Sequence, residues 1–148
     1  MNVTVGSVED RRLKLELRLA QLKKNELAQN NFLHFVHAMW PEFIFGRHHE
    51  IISNKLQRVA SGKLKRLIIN MAPRHTKSEF ASFLFPAWMM GQNPRMKIIQ
   101  ATHTTELAVN FGRKTKNLID SDEYKEVFPD VKLAADSKAS GRWDTSRG

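Results

Sequence analysis

The chain has no cysteine. That excludes disulfides and thiolate metal sites as sources of stability, and it fits a reducing compartment. Long apolar runs are also lacking. The longest, Phe80 to Met90, is broken by Ser82 and Pro86 and falls well short of the roughly 20 residues that a membrane-spanning helix needs. The first residues, MNVTVGSVEDRRLK, have no apolar core of the secretory kind. These absences lead to the expectation of a soluble intracellular protein with no membrane partner. No internal repeat, low-complexity tail or RGG-like segment is visible. A length of 148 residues suits one domain around one core.

Acidic residues are also scarce. Fifteen Asp and Glu stand against 24 Lys and Arg, a formal net charge of +9. Such a balance favours polyanions, either nucleic acid or nucleotide phosphates. The basic residues are dispersed along the chain, and no major-groove reading motif accompanies them. There is no Ser-His-Asp arrangement and no paired-carboxylate arrangement. His34 and His37 stand three apart on an expected helix without a third ligand nearby in sequence, so zinc is not expected there.

Residues 1–30 form an N-terminal segment expected to be helical. Its core LKLELRLAQL alternates apolar and polar as a strand would, but Leu, Lys, Glu, Arg and Gln are better helix formers. Leu15, Leu19 and Leu22 share one helical face, a surface for packing or for a partner. Asn30 and Asn31 can start a helix over 31–40 that Pro41 stops or breaks. PEFIFGRHH is an aromatic turn around Gly46, and an amphipathic helix over 49–61 is closed by Gly62. The apolar stretch 66–71 reads as a buried strand, and 72–78 as a loop opening a helix over 78–90 that Pro86 should kink or end near Leu84. A second short strand, 96–102, precedes a helix over 104–120, and the remainder is an irregular tail.

A lysine followed by a hydroxyl where a strand gives way to a helix is suited to phosphate. Helix amides face the anion, the Lys77 ammonium adds charge, and the Ser78 hydroxyl can reach Mg²⁺. Against G-x-x-x-x-G-K-[ST], the octet Met71 to Ser78 matches only at Lys77 and Ser78, with Met71 and Thr76 in the glycine places. Thr76 matters most, because a β-branched residue resists positive φ. Strand, helix, strand and helix in succession predict a right-handed βαβ unit. The expected fold class is therefore α/β: a partial P-loop NTPase of Rossmann-like type, with a parallel sheet, flanking helices and the N-terminal helical segment ahead of it, the incomplete ATPase domain covering 31–148. Two strands cannot complete such a sheet. No apolar strand after Lys77 ends in the acidic pair that would hold Mg²⁺ and position water. The chain thus reads as the front part of a longer protein, with negligible turnover expected from it alone.

RLIINMAPRHTKSE, then FPAWMMGQNP, then KIIQATHTTELAVNFGRKTKNLI, then VFPDVKL and the W-x-T at Trp143 occur in an order and spacing that resemble the N-terminal part of the terminase large subunit of tailed bacteriophages. That family is the ATPase motor that packages viral DNA. Its phosphate loop deviates similarly, a Pro-Arg pair preceding the glycine-lysine-serine end, which accounts for Met71 and Arg74, while Thr76 still replaces the glycine that usually precedes the lysine. The resemblance implies ATP and Mg²⁺ as cofactors, with Pro73, Arg74, His75, Thr76, Lys77 and Ser78 around the phosphates. It implies Arg74 as an arginine acting in cis on the γ-phosphate, and His48 or His49, here assigned as His49, on the adenine side. It further implies double-stranded DNA, a terminase small subunit and the portal of the procapsid as partners, a homo-oligomeric ring, and a place in the host cytoplasm and transiently at the portal. The family's nuclease centre is not visible in these residues. Two other readings compete: another P-loop nucleic-acid motor, or a non-catalytic basic module that binds DNA or a partner and keeps only a vestigial phosphate loop.

Overall fold

The computed structural model describes residues 5–135 and 142–147, with side chains from Val8 onward. Among the described residues six α-helices follow one another: α1 (Val5–Asn30), α2 (Phe32–Met39), α3 (Arg47–Ala60), α4 (Phe85–Gln92), α5 (Thr105–Asp120) and α6 (Asp122–Val127). A π-helical segment, Glu79–Leu84, leads directly into α4. The middle of the tail, 136–141, lies outside the described residues.

The helices start and stop for local reasons. The Asn31 side chain accepts hydrogen bonds from the amides of Leu33 (2.9 Å) and His34 (3.2 Å), satisfying two orphan donors at the start of α2. Gly62 ends α3 with φ +73°, a left-handed conformation open to glycine without penalty. Pro86 does not end its helix. It has no amide hydrogen to offer the Ser82 carbonyl, and its ring would crowd that carbonyl in a regular α-helix. The preceding turn widens instead, so that the Phe85 amide bonds to Phe80 O, and the Gln100 side chain donates to Ser82 O (2.5 Å).

Phe32 is the centre of the core. It is fully buried, with the rings of Phe80, Phe85 and Trp88 at centroid distances of 5.7, 5.4 and 5.6 Å. Two buried polar tips fasten the layers: Trp88 Nε1 donates to Ala28 O of α1 (3.0 Å), and Tyr124 OH donates to Ala87 O of α4 (2.8 Å). Only the C-terminal third of α1 takes part. Residues 8–24 are exposed throughout, including Leu13, Leu15, Leu17, Leu19 and Leu22.

The expected parallel sheet is not present among the described residues. Residues 66–71 and 96–102 are extended, yet the described residues contain no strand, and their one β-type pairing is an isolated antiparallel bridge between Leu133 and Thr145. The α/β class is therefore corrected to an all-helical arrangement carrying two unpaired extended segments. An extended chain becomes a strand only by exchanging hydrogen bonds with a neighbour. Neither segment exchanges backbone hydrogen bonds with the other or with a third segment among the described residues. β-branched composition dictated the local backbone here but did not supply a partner.

Candidate phosphate-binding loop

Two elements meet at the loop. The first is the N-terminus of α3, where Gly46 is the cap residue and His49 stands three positions in. The Gly46 amide donates to His49 Nδ1 at 2.9 Å, so the imidazole fills the reciprocal acceptor role that Glu or Gln takes in a capping box. The ring is buried among aromatics, with centroids at 4.7 Å to Phe43, 6.0 Å to Phe45 and 5.2 Å to Phe80. The second element is the stretch 72–78. Helix begins at Lys77 and runs on through the π-helical segment into α4.

The loop backbone is unusual at two places. Arg74 has φ 63° and Thr76 has φ 56°. Positive φ is uncommon outside glycine and an outlier for a β-branched residue; a position of this sort costs about 1–3 kcal/mol and persists only where its surroundings hold it. The concern raised by Thr76 in a glycine place has a direct answer in the backbone: threonine adopts the conformation a glycine would. A left-handed residue beside a helical one turns successive amides to the same side, a concavity that attracts anions.

One hydrogen-bonded chain connects the two elements. Because Nδ1 of His49 accepts from Gly46, the neutral ring carries its proton on Nε2, which lies 2.7 Å from Thr76 Oγ1. The Thr76 hydroxyl in turn donates to the His75 carbonyl at 2.7 Å. On the other side of the turn, His75 Nδ1 donates to the Pro73 carbonyl at 2.9 Å. Burial, then the neighbouring His48 and His75, hold the His49 imidazole below its ordinary value of 6.5. The neutral form is also the one the geometry requires, since a protonated Nδ1 has no lone pair for Gly46.

The charges around the loop are free for an anion. Among the described residues no carboxylate pairs with Arg74 or Lys77, and Glu79, the acid nearest in sequence, is bound to Lys114 at 3.2 Å. Arg74, His75 and Ser78 are exposed, and Lys77 is half-buried. This donor set fits phosphate. For Mg²⁺ the loop offers the Ser78 hydroxyl, and the described residues hold no group of three or more His, Asp or Glu suited to a metal. A divalent ion would have to arrive on the phosphates.

Pro73, Arg74, His75, Thr76, Lys77 and Ser78 are thus one contiguous turn, and His49 is joined to it. His49 has both ring nitrogens engaged, which leaves neither free for an adenine edge. His48, tilted against it at 3.7 Å between centroids and 6.0 Å from the His75 ring, is half-buried. The link from His49 to Thr76 spans 27 residues and carries no motif; the sequence placed His49 at the site only through the resemblance, and on the adenine side. Compared with family models, with curated proteins and with solved structures, the chain matches none of them.

Proposed function

We propose that this chain grips the phosphates of ATP, as the N-terminal portion of a DNA-packaging motor of the terminase large-subunit kind. The observation that carries the reading is Thr76: a threonine held at φ 56° immediately before Lys77, in the place where a phosphate loop has glycine. Lys77 and Arg74, without carboxylate partners among the described residues, supply the charge. Ser78 stands where the hydroxyl of such a loop meets the phosphate-borne metal. In the complete motor these contacts would couple ATP hydrolysis to translocation of double-stranded DNA. The order of the resembling segments along the chain supports the packaging motor over other nucleic-acid ATPases.

The test is calorimetric titration of ATP with Mg²⁺ into the protein and into Lys77→Ala. Loss of the ammonium should weaken binding by about tenfold or more, given that hydrogen bonds to charged groups contribute about 1.5–3 kcal/mol. Equal affinity in the two proteins overturns the assignment. A second reading has its own support, the exposed Arg11, Arg12, Lys14, Arg18, Lys23 and Lys24 of α1. Steeply salt-dependent DNA binding with no nucleotide binding would favour that basic module instead.

A further inference from the structure

We propose that His49 is a positioning residue of the phosphate loop: through Nε2–H it holds the Thr76 hydroxyl, and with it the left-handed backbone on which the loop depends. Three observations lead there. Thr76 occupies a conformation that its own side chain resists. Its hydroxyl is fixed at both ends, accepting from His49 Nε2 at 2.7 Å and donating to the His75 carbonyl at 2.7 Å. The donor is itself immobile, because Gly46 fixes the tautomer and Phe43, Phe45 and Phe80 fix the ring.

A threonine in this place is therefore more than a tolerated glycine substitute. Glycine would adopt the left-handed backbone at no steric cost but would also leave it readily. Threonine with a histidine clamp adopts one conformation only. The loop is pre-formed before any anion arrives, which lowers the ordering cost of binding. The clamp also couples the start of α3 to the start of the helix at Lys77, so the aromatic turn around Gly46 and the phosphate loop behave as one unit.

The clamp predicts non-additivity. Relative to the protein itself, His49→Ala should weaken ATP binding by about tenfold, one decade being about 1.4 kcal/mol. With Thr76→Gly already present, the same change should weaken it by less than about twofold, since no strained residue remains to be held. His49→Gln, whose amide can accept from Gly46 and donate to Thr76, should restore most of the affinity. Equal losses from His49→Ala in the two backgrounds overturn the proposal and reduce His49 to a packing residue.

The consequence for nucleotide rests on the phosphate-loop reading, but the clamp does not. Imidazole ¹⁵N NMR of the nucleotide-free protein should show His49 in the Nε2–H form, and the Thr76 backbone shifts should leave the left-handed range in His49→Ala. An Nδ1–H tautomer, or Thr76 shifts unchanged by the substitution, overturns the clamp whether or not ATP binds. An intact clamp in a protein that ignores ATP overturns the function proposed above and leaves the clamp standing.

Discussion

The helical core and the two extended segments are built from similar apolar residues and meet opposite fates. Phe32, Phe35 and Phe80 are fully buried, whereas Ile68 and Ile99 are 86% and 95% exposed. Leu67 and Ile69, on either side of Ile68, are half-buried against the core, as the period-2 geometry of an extended chain requires. Segment 66–71 therefore presents one apolar face to the helices and the other to solvent, whereas in 96–102 both Ile98 and Ile99 are exposed. A helix satisfies its own backbone and needs a partner for one stripe only. An extended segment needs neighbours for its backbone as well as its outer face.

The sharpest break of this comparison is a cavity at the centre of the core. Phe32→Ala removes a ring in contact with four other aromatic rings, and should cost about 3–5 kcal/mol in denaturant unfolding. In a domain whose total stability is about 5–15 kcal/mol, that is enough to bring it near the threshold of folding. A cost under about 1 kcal/mol would mean that the core closes up freely around the gap, contrary to the close packing of protein interiors.

How much of this was readable from the sequence follows the same division. The helices over 31–40, 49–61 and 104–120 were legible because each carries its own signals: the Asn30-Asn31 pair ahead of the first, Gly62 as a stop, and the Thr104-Thr105 pair ahead of a periodic face. That a helix opens at Lys77 and Ser78 was legible for the same local reason. The sheet was not, because strand composition at 66–71 and 96–102 says that the backbone extends but not what it pairs with. The fate of Pro86 turned on a π-helical turn and on the Gln100 side chain, neither visible in a helical pattern. The left-handed Thr76 ran against its own propensity, and the histidine that holds it comes from another helix.

The loop supplies the intermediate effect, and it depends on pH. His49 titrates near 6.5 when unfolded and lower when folded, its ring desolvated by the aromatic cage and repelled by His48 and His75. The unfolded chain thus takes up the proton first as the pH falls. The stability contributed by the neutral ring is complete above about 6.5 and is lost as the pH drops through the folded value. His37, desolvated by burial and repelled by His34, acts in the same direction. Unfolding measured from pH 8 downward should therefore be flat at first and then lose stability below about 6.5, less steeply in His49→Gln than in the parent. Identical slopes would show that the cage does not discriminate between the two charge states.

The smallest effect is expected on the outward faces of the extended segments. Fully burying an isoleucine contributes about 1.5–3 kcal/mol, but at 86% and 95% exposure Ile68 and Ile99 gain almost none of it. Ile68→Thr and Ile99→Thr keep the β-branched backbone preference and remove the outward apolar surface. Each should change unfolding stability by no more than about 0.5 kcal/mol, the range of ordinary surface substitutions. A loss beyond about 1 kcal/mol at either position would show that the outer face is covered in solution, and the contrast between core and extended segments would have to be redrawn. The paired control is Leu67→Thr on the inner face. It should cost more than Ile68→Thr next to it, because the two side chains lie on opposite sides of the same extended backbone. Sensitivity that alternates along 67–69 confirms an extended segment with one face packed, whereas uniform insensitivity would detach the segment from the helices altogether.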